Sequence, residues 1–70
     1  MNNETPIGEQ VRERRKALGI SQRDLSELAG VSLHTLSDLE SGKGNPTIAT
    51  LERVLRPLGM RLSIQIRTVE

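Results

Sequence analysis

The sequence predicts a mainly α fold of four short helices followed by one β-strand, and three observations lead to it. Apolar residues recur at spacings of three and four up to Leu58, the period of a helix with one buried face. Hydroxyl residues and glycines punctuate that stretch, a hydroxyl before a run to cap it and a glycine after it to end it. From Met60 the period changes to two: Met60, Leu62, Ile64 and Ile66 alternate with Arg61, Ser63, Gln65 and Arg67, the pattern of a strand with one buried face.

In chain order, Thr5 followed by Pro6 reads as a capping hydroxyl and a proline in the first helical position, so helix 1 is expected over 6–18, with Ile7, Val11 and Leu18 on its seam and Gly19 as its stop. Ser21 and Asp24 form an S-x-x-D capping box for helix 2, expected over 22–29 with Leu25, Leu28 and Ala29 at helical spacing, and Gly30 ends it. Only Val31 separates that glycine from Ser32, which caps helix 3, expected over 33–41 with Leu36 and Leu39 inward. Thr47 caps helix 4, whose apolar side is expected to hold Ile48, Leu51, Val54, Leu55 and Leu58 before Gly59. Pro57 removes a backbone donor and disfavours helical geometry at Arg56, so the last turn is expected to tighten or kink.

Composition removes several functions. A chain of 70 residues is one domain at most, and so small a core calls for reinforcement, for which a dimer interface is one source. The absence of Cys excludes disulfides and thiolate metal sites, and the single His has no ligand cluster beside it, so no metal or cofactor is expected. An enzyme is not expected either, with no phosphate-binding glycine loop and no core able to enclose a substrate. The absence of Phe, Tyr and Trp removes the stacking platforms of single-stranded nucleic-acid modules. No segment is long and apolar enough for a bilayer, and 1–8 lack the basic start and apolar run of a signal, so the expected location is the cytoplasm. Net charge is only +1, so distribution matters more than total: Arg12, Arg14, Arg15 and Lys16 crowd one short segment.

The connection through Gly30, Val31 and Ser32 is too short for an ordinary helical hairpin and sets helices 2 and 3 at a steep angle, which is helix-turn-helix geometry. Leu25, Val31, Leu36 and Leu39 then lock the angle from inside, while helix 3 turns Ser32, Leu33, His34, Ser37, Asp38 and Ser41 outward. Short polar side chains on a convex helix suit a major groove about 12 Å wide.

The runs Ser21-Gln22-Arg23-Asp24-Leu25-Ser26-Glu27-Leu28-Ala29-Gly30-Val31-Ser32 and Thr35-Leu36-Ser37-Asp38-Leu39-Glu40-Ser41-Gly42-Lys43 resemble the Xre family, the domain of phage Cro and lambdoid repressors, over about 7–59. The resemblance implies a four-helix lambda-repressor-like DNA-binding domain at 6–59 with its helix-turn-helix motif at 22–41. Ser26 in place of alanine, Leu28 in place of a polar residue, and Pro57 depart from the pattern, and none lies on the reading helix. The family pairs the positions of Arg15 and Glu40, and helix 1 carries an arginine where its seam calls for an apolar residue, so these two are expected as a partly buried ion pair. The strand at 60–67, standing where the family has a fifth helix, resembles the HipB-like branch, antitoxins whose toxin is a HipA-type kinase. That implies a kinase partner, for which the exposed faces of helices 1 and 4 are the expected surface, among them Arg12, Glu13, Glu52, Arg53 and Arg56.

The expected DNA-contacting set is Gln22, Arg23, Ser32, Leu33, His34, Thr35, Ser37, Asp38, Ser41 and Lys43. Gln22 in the family donates to a phosphate oxygen, against the plain reading of a first-turn polar residue. His34 meets a purine edge or a phosphate, or is merely exposed; Leu33 packs on a thymine methyl or covers the turn. Asp38 accepts from cytosine N4 or caps a nearby lysine, and Ser41 and Lys43 hold a phosphate. The dimer interface is expected from the strand at 60–67, through Met60, Leu62, Ile64 and Ile66, with Leu55 and Leu58 adding contact; flexible ends at 1–5 and 68–70 complete the organisation. A homodimeric repressor on a palindromic duplex operator follows, either as an antitoxin or free-standing. A protein-interaction adaptor of the same fold is the rival from another class.

Overall fold

The chain folds through four capped helices in a computed structural model that describes residues 5–68. They are α1 (Ile7–Ala17), α2 (Gln22–Ala29), α3 (Leu33–Ser41) and α4 (Ile48–Leu55), and a 3-10 turn (Arg56–Leu58) continues α4. Three caps are hydroxyls that accept from the backbone three residues on: Ser21 from Asp24, Ser32 from Thr35 and Thr47 from Thr50. Each satisfies one of the four N–H groups that a helix start leaves without a carbonyl. The start of α1 differs from expectation, because Pro6 itself takes the N-cap position without a side-chain cap bond. There Gln10 Nε2 reaches back to the Thr5 carbonyl at 2.7 Å. Pro57 acts as its chemistry requires: the chain tightens from α-helix to 3-10 turn at Arg56.

Val11, Leu25, Leu36, Val54 and Leu58 are almost wholly buried and form the centre of a core completed by Ala29, Leu39, Leu51 and Leu55. Val31, Ile20, Met60 and Leu62 pack on its edge. Gly30 adopts φ +71°, in the left-handed region that glycine occupies without strain, and turns the chain from α2 into α3. Gly8 has a different role: a β-carbon there would collide with the Leu39 carbonyl, so the absent side chain lets α1 lie against the end of α3.

Several apolar expectations are corrected. Ile7, Leu18, Leu28 and Ile48 are exposed, because each lies at the edge or end of its helix's apolar stripe, where periodicity marks a face without marking its limit. Leu55 and Leu58, expected to add to a dimer contact, are core residues at 4% and 1% exposure in the single chain. The expected strand at 60–67 forms neither strand nor helix in the single chain, since a ladder requires a partner strand and the described residues supply none. Met60 and Leu62 still lean on the core, whereas Ile64 and Ile66 are fully exposed. The expected flexible ends, 1–5 and 68–70, lie outside the described residues apart from Thr5 and Thr68. Among the described residues, no helix is long and apolar enough to cross a membrane.

Candidate nucleic-acid interface

α3 is fixed from inside by a polar clamp as well as by Leu36 and Leu39. Arg15 grips Glu40 with two parallel bonds, Nε to Oε2 at 2.7 Å and Nη2 to Oε1 at 2.9 Å, and its third arm, Nη1, donates to the Ile20 carbonyl at 2.9 Å. Both side chains are buried. The fork geometry of a guanidinium matches a carboxylate in this way, which a lysine could not reproduce. Gln22 Nε2 adds a bond to Glu40 Oε1 at 3.0 Å, so residues from α1, α2 and α3 meet on one carboxylate.

Burial of Glu40 by itself opposes ionisation; the hydrogen bonds from Arg15 and Gln22, with the charges of Arg15 and Arg12, outweigh it and hold the carboxyl below its ordinary value. The Glu40 hydrogen bond likewise raises Arg15, against the opposing effect of burial. Arg14 makes a second tie from α1, donating from Nε to the Leu58 carbonyl at 3.0 Å.

The opposite face of α3 is open. Ser37 and His34 are exposed, and the Ser37 hydroxyl has no partner among the described residues. His34 Nε2 lies 3.1 Å from Asp38 Oδ2, one helical turn on, so the carboxylate of Asp38 meets a histidine and not the lysine considered for it. Lys43 approaches Asp38 through its backbone instead, N–H to carbonyl at 2.8 Å. Ser32 is exposed, but its hydroxyl both caps α3 and donates to Thr35 Oγ1 at 2.9 Å. The Ser41 hydroxyl donates to the Asp38 carbonyl at 3.1 Å, so it must rotate before it can donate elsewhere. Leu33 is exposed beside the turn, Thr35 is half-buried, and Arg23 is exposed near the start of α2. Gln22 is half-buried and one of its amide hydrogens is committed to Glu40, which leaves the other for an outside acceptor.

Of the expected site, the structure therefore gathers Ser32, Leu33, His34, Ser37, Asp38 and Ser41 on one exposed side of α3, with Gln22 and Lys43 at its flanks. Sequence reasoning does not anticipate the Gln22 bond or the His34–Asp38 contact. The i,i+4 spacing of His34 and Asp38 is a legible signal for one, whereas Gln22 and Glu40 are far apart in sequence and meet only through the packing of α2 on α3.

The helix-turn-helix family model HTH_3 matches residues 11–65. The chain belongs to this Xre-type helix-turn-helix family. Its relatives bear the names of transcriptional regulators: an uncharacterized HTH-type transcriptional regulator of Haemophilus influenzae is 46% identical over 50 residues, 71% of this chain and 51% of that protein. HTH-type transcriptional regulator PuuR of Escherichia coli is 38% identical over 80% of this chain and 30% of its own length. The immunity repressor protein of Bacillus phage phi105 is 35% identical over 81% of this chain and 40% of its own. This helix-turn-helix chain thus spans about half the length of the Haemophilus relative. Among solved structures, a chain of the SinR protein/SinI protein complex matches with a TM-score of 0.73 and 38% identity, over 79% of this chain and 54% of that one. The fold is lambda-repressor-like, and the family is one of DNA-binding transcriptional regulators.

Proposed function

We propose that the chain is a sequence-specific repressor that binds a palindromic duplex operator as a homodimer. The observation that carries this reading is the division of α3 into an inner face clamped by Arg15 and Glu40 and an outer face with exposed, short polar side chains. Ser37 and His34, with Ser32 and Thr35 at the start of the helix, meet base edges, and Leu33 lies against a thymine methyl. Arg23, Gln22, Ser41 and Lys43 hold phosphates and set the register. Asp38, paired with His34, orients that imidazole. A salt titration of binding to duplex DNA tests the reading: phosphate contacts give a steep fall in affinity with salt, and an adaptor of the same fold gives no binding at all.

The dimer is assigned to 60–67. Ile64 and Ile66 stand free in the single chain, and apolar side chains alternating along an unpaired segment suit an antiparallel ribbon across a two-fold axis. Half-sites then fall about one helical turn, roughly 34 Å, apart. Sedimentation of Ile64→Asp is expected to show monomer, and a persisting dimer refutes the ribbon.

A protein partner is the finer part of the proposal. The resemblance of the tail to HipB-like antitoxins favours a HipA-like kinase, and the solved neighbour, a complex of SinR and SinI, supports protein partnership within this fold. Co-purification with the product of the adjacent gene decides between an antitoxin and a free-standing repressor.

A further inference from the structure

Helix stability does not explain the contact between His34 and Asp38. The two stand at i,i+4 spacing, Nε2 to Oδ2 at 3.1 Å, with the imidazole in the first turn of α3 and the carboxylate in its last. A helix favours the reverse order, an acid toward its positive N-terminus and a base toward its C-terminus. A carboxylate on this exposed side of α3 also repels the phosphates of a duplex. What Asp38 does to the imidazole accounts for the pair better than either.

An ionised carboxylate only accepts, so the proton between the two groups belongs to Nε2. Nδ1 is then the ring atom left free, without a partner among the described residues, on a side chain that is 87% exposed. In a neutral imidazole that atom accepts, and in a protonated one it donates. Base edges in the major groove divide along the same line: cytosine offers an amine donor, and guanine offers acceptors at N7 and O6. His34 is the single histidine of a chain without cysteine, so no other side chain has its ordinary titration between about pH 5 and 8. Of the charged groups on elements packed against α3, Arg15 of α1 is held by Glu40, and Arg12 and Lys16 line a groove with Ser37 and Ser41. Arg23, Asp24 and Glu27 of α2 make no ion pair with His34 among the described residues, and Lys43 lines a groove with Asp38. Arginine, lysine and carboxylate side chains ordinarily hold their charge across that range.

We propose that Asp38 is a positioning residue that sets the base specificity of His34, holding the Nε2 proton so that Nδ1 meets the base edge. Nδ1 then prefers cytosine to guanine while the ring is neutral, and guanine to cytosine once it is protonated. Adenine, with both an amine and N7, is read in either state. The assignment rests on the DNA-binding reading above and adds to it a base preference that changes with pH.

Selection of sites from a randomised duplex pool at about pH 8.5 and again at about pH 5.5 tests this without knowledge of the operator. The Glu40 carboxyl, held below its ordinary value of 4.5, keeps the clamp ionised at both. The parent chain is expected to favour cytosine over guanine at one position of each half-site at the higher pH, and the reverse at the lower, by roughly fivefold each way. His34→Ala is expected to lose that discrimination at both. Asp38→Ala frees the neutral ring to turn either nitrogen to the base, so it is expected to lose the cytosine preference at the higher pH and to keep the guanine preference at the lower. Loss of its negative charge is expected to tighten binding to all sequences alike, which leaves the ratio of the two bases as the diagnostic. Asp38→Glu restores a carboxylate and is expected to recover most of the cytosine preference. Circular dichroism and melting of each variant confirm the fold. A parent preference that is the same at both pH values, or a full cytosine preference in Asp38→Ala at the higher pH, overturns the assignment and leaves the DNA-binding reading intact. Failure of the parent chain to enrich any sequence at either pH overturns both.

Discussion

The two faces of α3 are built from opposite materials. Inward, Leu36 and Leu39 pack in the core and Glu40 is clamped by Arg15 and Gln22. Outward, Ser37 has no partner among the described residues, and His34 meets only Asp38, in solvent. Satisfying every donor and acceptor on one face fixes the position of the helix, and on the other face a free Ser37 hydroxyl and groups held only in exposed, local pairs stay available to a ligand. A reading element needs both, because a bond to a base carries no information when the helix that presents it can shift by an ångström.

Emptying the inner face is the most damaging way to break this contrast. Leu36 is fully buried, and Leu36→Ala is expected to cost about 2–5 kcal/mol, a large part of the stability of so small a domain. Thermal or urea unfolding measures it, and DNA affinity is expected to fall with the folded fraction. Glu40→Gln comes next, since it leaves the Arg15 charge buried without its counter-charge, at a cost of about 3 kcal/mol or more. An unchanged melting temperature and DNA affinity would reduce the clamp to a surface contact.

The same pair gives the protein an acid limit. With its folded pKa depressed, Glu40 contributes stability that is fully present above its ordinary value near 4.5 and disappears as pH falls through the lower folded value. Unfolding curves taken from neutral pH downward are expected to show this decline in the parent chain and to lack its Glu40 component in Glu40→Gln.

Changes on the outer face sharpen the comparison, because they are expected to spare stability. Ser37→Ala is expected to melt like the parent and to shift preference at one or two base positions, by about 1–3 kcal/mol for each base-edge bond removed. Lys43→Ala is expected to weaken binding to all sequences alike and to reduce the salt slope by about one.

What can be read from the sequence follows the same division by range. Ser21, Ser32 and Thr47 as caps, Gly30 as the turn and Pro57 as the cause of a tightened helix are local effects, settled within a few residues. An arginine at 14 or 15 stands out because a cation interrupts an apolar seam and must find an acid, and the family resemblance, not the seam, selects Arg15 with Glu40. Leu55 and Leu58 lie in the core of the single chain, since periodicity says that a face is buried but not against which chain. Gly8, the bond from Gln22 to Glu40 and the groove beside Arg12 depend on how helices cross, which no local pattern encodes. The segment 60–67 marks the limit in another way: its alternation is plain, yet pairing belongs to two chains.

Selection of binding sites from a randomised duplex pool, run in parallel for the parent chain and Ser37→Ala, tests most directly the claim that the outer face of α3 reads sequence. The parent is expected to enrich two inverted half-sites about one helical turn apart, and the variant the same arrangement with altered preference at one or two positions in each half. Identical enriched sequences from both proteins, or no enriched sequence from the parent, would contradict the account.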